Sequence, residues 1–169
     1  FQDTVAGNIS LGDERETPEP REVETAAELA GADGFIDGLP STYQTLLGRW
    51  FDAGCELSGG EWQKIALARA YFRQSPILVL DEPTSFMDSW GEADWYDRFS
   101  SLAKDRTGLI ITHRFTIAMR ADIIHVMSDS RLIESGTHKE LLDLDGFYAS
   151  SWKSQMLVAS EKSYEAILR

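Results

Sequence analysis

The sequence predicts an α/β domain, and three stretches carry that prediction. Ile77-Leu78-Val79-Leu80 is a run of four apolar residues, the pattern of a strand buried on both faces of a parallel sheet. Gly108-Leu109-Ile110-Ile111-Thr112 reads as a second buried strand. Between them, Trp90 to Lys104 carries Trp95, Phe99 and Leu102 at helical spacing, so these side chains are expected in the core rather than as a stacking platform for bases.

The bulk properties narrow the function classes. A chain of 169 residues is about one domain, and 43% hydrophobic content can supply a core. A formal net charge of −12 argues against a nucleic-acid partner, which requires a basic face. The single cysteine, Cys55, cannot form an internal disulfide and suits a reducing compartment. The longest apolar runs fall far short of the roughly 20 residues that span a bilayer.

Taken in order, the remaining elements follow from local signals. Asp13 to Glu24 is acidic, carries Pro18 and Pro20, and is expected to be an exposed loop. Thr25-Ala26-Ala27-Glu28 has the spacing of a capping box, so a short helix should open there and be interrupted by Gly31 and Gly34. Phe35, Ile36 and Leu39 should pack inward before Pro40 ends the segment. Tyr43 to Glu56 is irregular; its Trp50 and Phe51 either dock onto a partner or fold back onto neighbouring helices. A helix should run from Gly59 to about Arg73, with Ile65, Ala68 and Phe72 on one face and Gln74-Ser75-Pro76 ending it. Lys64 and Arg69 are expected to be solvated or to hold neighbouring elements. Further on, Ile117 to Arg120 reads as a short helix. Ile123–Met127 and Leu132–Glu134 read as strands joined at Ser128-Asp129-Ser130. Gly136 to Glu140 opens another helix, and Gly146 to Trp152 starts a last, mostly exposed one running toward Arg169. His125 and His138 are expected to be structural.

Two pieces of phosphate chemistry stand out. The first amides of a helix lack partners and sit at the positive end of its dipole, which makes an anion site. Gly59 and Gly60 have no side chains to keep a phosphate away from such amides. Ser58 and Glu61 also match a capping box, so this turn can equally be a well-capped helix start. Asp81 and Glu82 follow the apolar strand directly. At the carboxyl end of such a strand an Asp can hold Mg²⁺, and a neighbouring Glu can orient or deprotonate water; alternatively both acids are solvated and cap the next helix. His113 follows the second strand and shares an edge with Asp81 and Glu82 if the two strands are parallel neighbours. There it could hydrogen-bond a γ-phosphate.

Joined in this order, the motifs resemble those of the ATP-binding-cassette (ABC) ATPases, the motor domains of ABC transporters. Leu57 to Glu61, with Gln63 beyond, resembles their signature motif. Ile77 to Glu82 resembles their Walker B strand and adjoining glutamate. Ser85-Phe86-Met87-Asp88 resembles their D-loop, with Phe86-Met87 in place of the more usual Ala-Leu. Ile111-Thr112-His113-Arg114 resembles their switch-histidine loop, and Phe1-Gln2-Asp3 their Q-loop. The resemblance implies a partial P-loop NTPase core of RecA-like type with an inserted helical subdomain. Residues 1–169 would be the C-terminal two-thirds of one ABC ATPase domain: helical subdomain at about 12–74, core at about 75–150, and helical tail at 151–169. No Gly-x-x-x-x-Gly-Lys-Ser/Thr occurs in the sequence. The phosphate loop is therefore expected upstream of Phe1, and the isolated chain is expected not to hydrolyse ATP.

The resemblance also implies roles. Two ATPase domains would pair head to tail, with Ser58, Gly59, Gly60 and Glu61 meeting the nucleotide of the opposite subunit and Asp88 crossing the seam. Asp81 and Gln2 would serve Mg²⁺, Glu82 would polarise the attacking water, Gln2 would report on it, and His113 would fix the γ-phosphate of ATP. The segment between Gln2 and Leu57, with its Gly48-Arg49-Trp50-Phe51 stretch, looks most like that of bacterial exporters carrying membrane and ATPase domains on one polypeptide. Such a protein would work at the cytoplasmic face of the plasma membrane, attached through a transmembrane domain outside this chain. A chromosome- or ribosome-acting ABC ATPase fits poorly with the acidic balance and with the absence of sustained heptads before the signature. An inert interaction domain has no need for Asp81, Glu82 and His113 together.

Overall fold

A computed structural model describes residues 1–11, 18–48 and 54–167, with side chains to residue 157. Trp50 and Phe51, and residues 12–17 of the acidic stretch, lie outside the described residues. The chain divides into two compact units, Phe1–Ile111 and Thr112–Arg169.

The first unit is mainly helical. It holds α1 (Val5–Ser10), α2 (Pro20–Leu29), α3 (Asp33–Ile36), a 3-10 turn at Thr42–Gln44, α4 (Gly59–Arg73), β1 (Ile77–Asp81), α5 (Ser89–Ala103) and β2 (Thr107–Ile111). One core runs through it. Val5 and Ile9 of α1, Val23, Ala26 and Ala27 of α2, Ile65, Leu67 and Ala68 of α4, and Trp95, Phe99 and Leu102 of α5 are all buried. Trp95 and Phe99 stack in parallel, with ring centroids 5.3 Å apart. α4 begins and ends as its sequence predicts, and Gln74 closes it in a left-handed conformation (φ 50).

β1 and β2 pair in parallel, with Val79 opposite Leu109 and Asp81 opposite Ile111. The expectation that these strands are buried on both faces is corrected. Leu78 is buried, and Leu80 and Ile110 pack against the same core. On the opposite face Ile77 and Val79 are each 62% exposed, and Leu109 and Ile111 about half exposed. Strand side chains alternate between faces, and within this unit the helices cover only one of them.

Two further expectations change. The helix assigned to Thr25 opens five residues earlier, at Pro20, which occupies the first turn. Proline suits that place, because its fixed φ is helical and its missing N–H would have had no partner. Thr25 instead lies inside α2, where its hydroxyl donates to the carbonyl of Arg21 at 2.8 Å. Gly31 (φ 66) follows the end of α2, whereas Gly34 does not break a helix but lies within α3.

The second unit holds α6 (Phe115–Ala118), β3 (Ile124–Ser128), β4 (Arg131–Gly136), α7 (His138–Asp143) and α8 (Phe147–Ile167). The short helix α6 starts two residues before the predicted Ile117. β3 and β4 form an antiparallel hairpin. Asp129 (φ 47) and Ser130 (φ 61) are both left-handed, as a two-residue hairpin turn matched to strand twist requires. Ile124, Leu141 and Tyr148 form the unit's small core. The Glu134 carboxylate accepts from the backbone N–H groups of Phe147 and Tyr148, capping α8 from a neighbouring strand. His125 bonds Ser135 at 2.9 Å, and His138 bonds the Tyr148 hydroxyl at 2.8 Å, so both take structural partners. Among the described residues, no helix is long and apolar enough to cross a membrane.

Candidate functional site

The start of α4 is a complete capping box. Ser58 is extended (φ −62, ψ 160) and its hydroxyl accepts from the Glu61 N–H at 3.3 Å. The Glu61 carboxylate accepts from the Ser58 N–H at 2.7 Å. Two backbone donors of the first turn are thereby satisfied, and the carboxylate adds negative charge at the positive end of the dipole. The cap that the sequence offers is present, and Gly59 and Gly60 follow it. They are not equivalent. A Cβ at Gly59 would stand 2.6 Å from Phe86 Cγ and 2.7 Å from Phe86 Cβ, whereas one at Gly60 would find its nearest atom, the Phe86 carbonyl, at 4.0 Å. Gly59 is a cradle that the Phe86 side chain fills, and Gly60 is open.

The acids come from the end of β1. Asp81 is its last residue and is exposed. Glu82 continues the ladder by donating its N–H to the Ile111 carbonyl at 2.8 Å, but its φ is +45. A glutamate in the left-handed region costs on the order of 1–3 kcal/mol, and such strain gathers at functional sites. The turn beyond is tight: Ser85 N–H bonds the Glu82 carbonyl at 3.2 Å, and Met87 N–H the Thr84 carbonyl at 3.1 Å. Thr84 is 1% exposed and anchors it. Gln63 of α4 donates to the Ser85 hydroxyl at 3.3 Å, tying the capped helix to the loop after β1.

Asp88 caps α5, its carboxylate accepting from the Gly91 N–H at 2.8 Å. A cavity of about 320 Å³ lies between the starts of α4 and α5, with Ser58, Gly60, Glu61, Phe86, Met87 and Asp88 in its wall. Arg98 closes another side. Its guanidinium bonds Asp94 at 2.9 Å and the carbonyls of Glu28 and Leu29 at 3.3 and 3.0 Å, satisfying the last carbonyls of α2. Sequence reasoning missed Arg98 and the Phe86–Gly59 contact. The i, i+4 spacing of Asp94 and Arg98 was the one local hint.

The structure thus gathers Ser58, Gly60, Glu61 and Phe86 to Asp88 around one cavity, and places Asp81 and Glu82 at the strand end leading into the same loop. Gln2 stands in an irregular segment before α1; it is exposed, and its side chain packs near Gly48. His113 is exposed and belongs to the second unit, one residue after Thr112, whose hydroxyl accepts from the Arg114 N–H at 3.0 Å. Among the described residues no three His, Cys, Asp or Glu side chains cluster to hold a metal. The exposed Asp81 offers a hard oxygen donor, which fits Mg²⁺, an ion commonly held by one or two carboxylates together with substrate phosphates.

Comparison with known proteins bears on the family of the chain. A family model described as ABC transporter matches residues 5–85, which span α1 through the loop after Glu82. The ATP-dependent lipid A-core flippase of Saccharophagus degradans is 43% identical over 155 residues, covering 92% of this chain and 26% of the flippase. The subtilin transport ATP-binding protein of Bacillus subtilis is 39% identical over 155 residues, covering 92% and 25%. A solved structure of a bacterial Atm1-family ABC exporter with ATP bound superimposes with a TM-score of 0.81 at 39% identity, covering 92% of this chain and 26% of that one. The chain therefore spans about a quarter of the length of the relatives it matches. On this fold, these motifs and these relatives, the chain belongs to the ABC transporter family and corresponds to part of an exporter's nucleotide-binding domain.

Proposed function

We propose that this chain is the catalytic-carboxylate and signature-turn part of an exporter's ATPase motor. The observation that carries the reading is Glu82, held left-handed at the end of β1 beside the exposed Asp81. Packing alone gives no reason to keep a glutamate in that conformation. In this reading Glu82 orients and polarises the water that attacks ATP, and Asp81 would hold Mg²⁺. Mg²⁺ when bound neutralises charge on the phosphates. His113 donates a hydrogen bond to the γ-phosphate, and Gln2 contributes beside the metal.

The bare backbone at Gly60 and the capped turn of Ser58, Gly59 and Glu61 serve a different nucleotide, the one held by a second ABC ATPase domain in a head-to-tail pair. Asp88 lies on the seam of that pair. Residues 12–74 act as the helical subdomain, 75–150 as the core and 151–169 as the tail. The motor works at the cytoplasmic face of the membrane, coupled to a transmembrane domain of the full protein. No nucleic acid takes part, in keeping with the net charge of −12.

The test is Glu82→Gln in the full-length protein. ATP turnover should fall by about 10²–10⁴-fold, the usual contribution of a positioned base, while the Kd for ATP stays within about threefold. Turnover near the wild-type rate, or loss of binding in place of turnover, refutes the assignment.

A further inference from the structure

Gln2 is exposed, yet the backbone around it is held from inside the unit. The Asp3 N–H bonds the Phe1 carbonyl at 3.0 Å, so Gln2 is the central residue of a tight turn. Asn8 of α1 is 0% exposed. Its side-chain amide donates to the carbonyls of Phe1 at 3.0 Å, Asp3 at 3.2 Å and Thr4 at 3.0 Å. Two of these carbonyls, those of Phe1 and Asp3, flank Gln2. The Oδ1 of Asn8 is buried and finds no partner among the described residues. An apolar side chain would fill the same space without that unmade bond. What the amide adds is its hold on the turn. Arg69 of α4 joins the same assembly at two points. Its Nε donates to the Asn8 backbone carbonyl at 2.8 Å, and its guanidinium lies over the Phe1 ring, 5.3 Å from the centroid.

We propose that Asn8 is a positioning residue for the ATPase reaction: its buried amide fixes the turn that presents Gln2. This rests on the reading above, in which Gln2 contributes beside the metal. Asn8 itself touches neither nucleotide nor metal and acts only through Gln2. Residues that orient a metal-side group from behind commonly matter about 10–100-fold to metal affinity or activity. With the amide gone, the Asp3 carbonyl still accepts from the Leu47 N–H at 2.9 Å, so α1 keeps its neighbour. The Phe1 carbonyl, on the other side of Gln2, keeps only the bond from Asp3, and Gln2 loses its fixed direction.

The test is a double-mutant cycle in the full-length protein with two readouts. One is kcat for ATP with Mg²⁺. The other is the Kd for Mn²⁺ at saturating ATP in a Glu82→Gln background, read from the paramagnetic resonance of the free ion, so that the site is scored without turnover. Asn8→Ser is the variant, because a serine hydroxyl can still donate to the carbonyl four residues back, that of Thr4, while it releases Phe1 and Asp3. Gln2→Ala and Asn8→Ser should each lower kcat and weaken Mn²⁺ binding by ~10-fold or more. Together they should cost no more than about twofold beyond Gln2→Ala alone, because both act through one side chain. Losses that multiply, or Asn8→Ser at wild-type values while Gln2→Ala is impaired, overturn the proposal and leave Gln2 its role. Wild-type kcat and Mn²⁺ affinity in Gln2→Ala remove that role, and the proposal with it. A circular-dichroism melt of each variant identifies unfolding. If Asn8→Ser does not fold, Asn8→Gln, which keeps the amide but displaces it, must give the same non-additive loss, or the proposal fails.

Discussion

Gly59 and Gly60 are adjacent, chemically identical and in the same helical turn, yet alanine should affect them in opposite directions. At Gly59 a methyl group would stand 2.6 Å from Phe86 Cγ, 2.7 Å from its Cβ and 3.0 Å from Cδ1. Carbon atoms pack at about 3.5–4.0 Å, so the turn and Phe86 must part by about 1 Å. Phe86 Cβ is fixed to the backbone and cannot swing aside. Overpacking of this kind costs about 1–3 kcal/mol, against which alanine returns at most about 1 kcal/mol of helix propensity. Gly59→Ala should therefore be destabilising by about 1–2 kcal/mol. At Gly60 the nearest atom would be 4.0 Å away, so only the propensity gain remains, and Gly60→Ala should stabilise by about 0.5–1 kcal/mol. Urea unfolding of the protein reads the difference: with m near 2 kcal/mol/M, a gap of about 2 kcal/mol separates the midpoints by about 1 M. Midpoints that move together, or in the reverse order, would refute the packing argument and with it the account of why Gly59 is glycine.

Three other outcomes follow from the same structure. Glu82→Gly should unfold at higher urea than Glu82→Ala, by about 1–2 kcal/mol, because only glycine occupies φ +45 without cost; equal stabilities would mean that residue 82 is unstrained. Trp95→Ala, which empties a site 2% exposed and removes the stack on Phe99, should cost about 3–5 kcal/mol by urea unfolding. Burial, with Asp37, Glu24, Asp33 and Glu28 nearby, pushes the Tyr43 hydroxyl up to about 12 from 10.0. The folded state thus favours the neutral phenol, and its contribution is complete below pH 10.0 and lost as pH rises toward about 12. Tyr43→Phe should flatten the decline in stability over that window; an unaltered slope would show that Tyr43 does not contribute to it.

Local signals made much of this molecule legible. The box at Ser58 and Glu61, the apolar periodicity of α4 and α5, and the uninterrupted runs of β1 and β2 each specify an element from neighbouring residues alone. What escaped the sequence was set by residues far apart along it. Arg98 reaches the carbonyls of Glu28 and Leu29 some seventy positions away, and Glu134 caps a helix thirteen positions on. The Thr25 box lost to Pro20 because a proline at the first turn competes with a cap further along. The sheet's bare face was hidden for a different reason: an apolar run specifies a strand that tolerates burial on both sides, not that both sides are covered. Of the candidate site, residue types and order were readable from Ser58 through Asp88. The strained backbone at Glu82 was not, since conformation at one residue depends on the hydrogen bond to Ile111 and the turn beyond it.

In the proposed motor one chain serves two nucleotides, its Glu82 one and its Gly59–Gly60 turn the other. The most direct measurement is single-turnover ATP hydrolysis by a fused pair of full-length exporters, with Glu82→Gln and Gly60→Asp placed either on the same half or on opposite halves. Opposite halves should spoil one site twice and leave one intact, retaining a hydrolytic burst; the same half should spoil both sites and abolish it. A burst of equal size in the two arrangements, or one surviving only when both changes share a half, would contradict the claim.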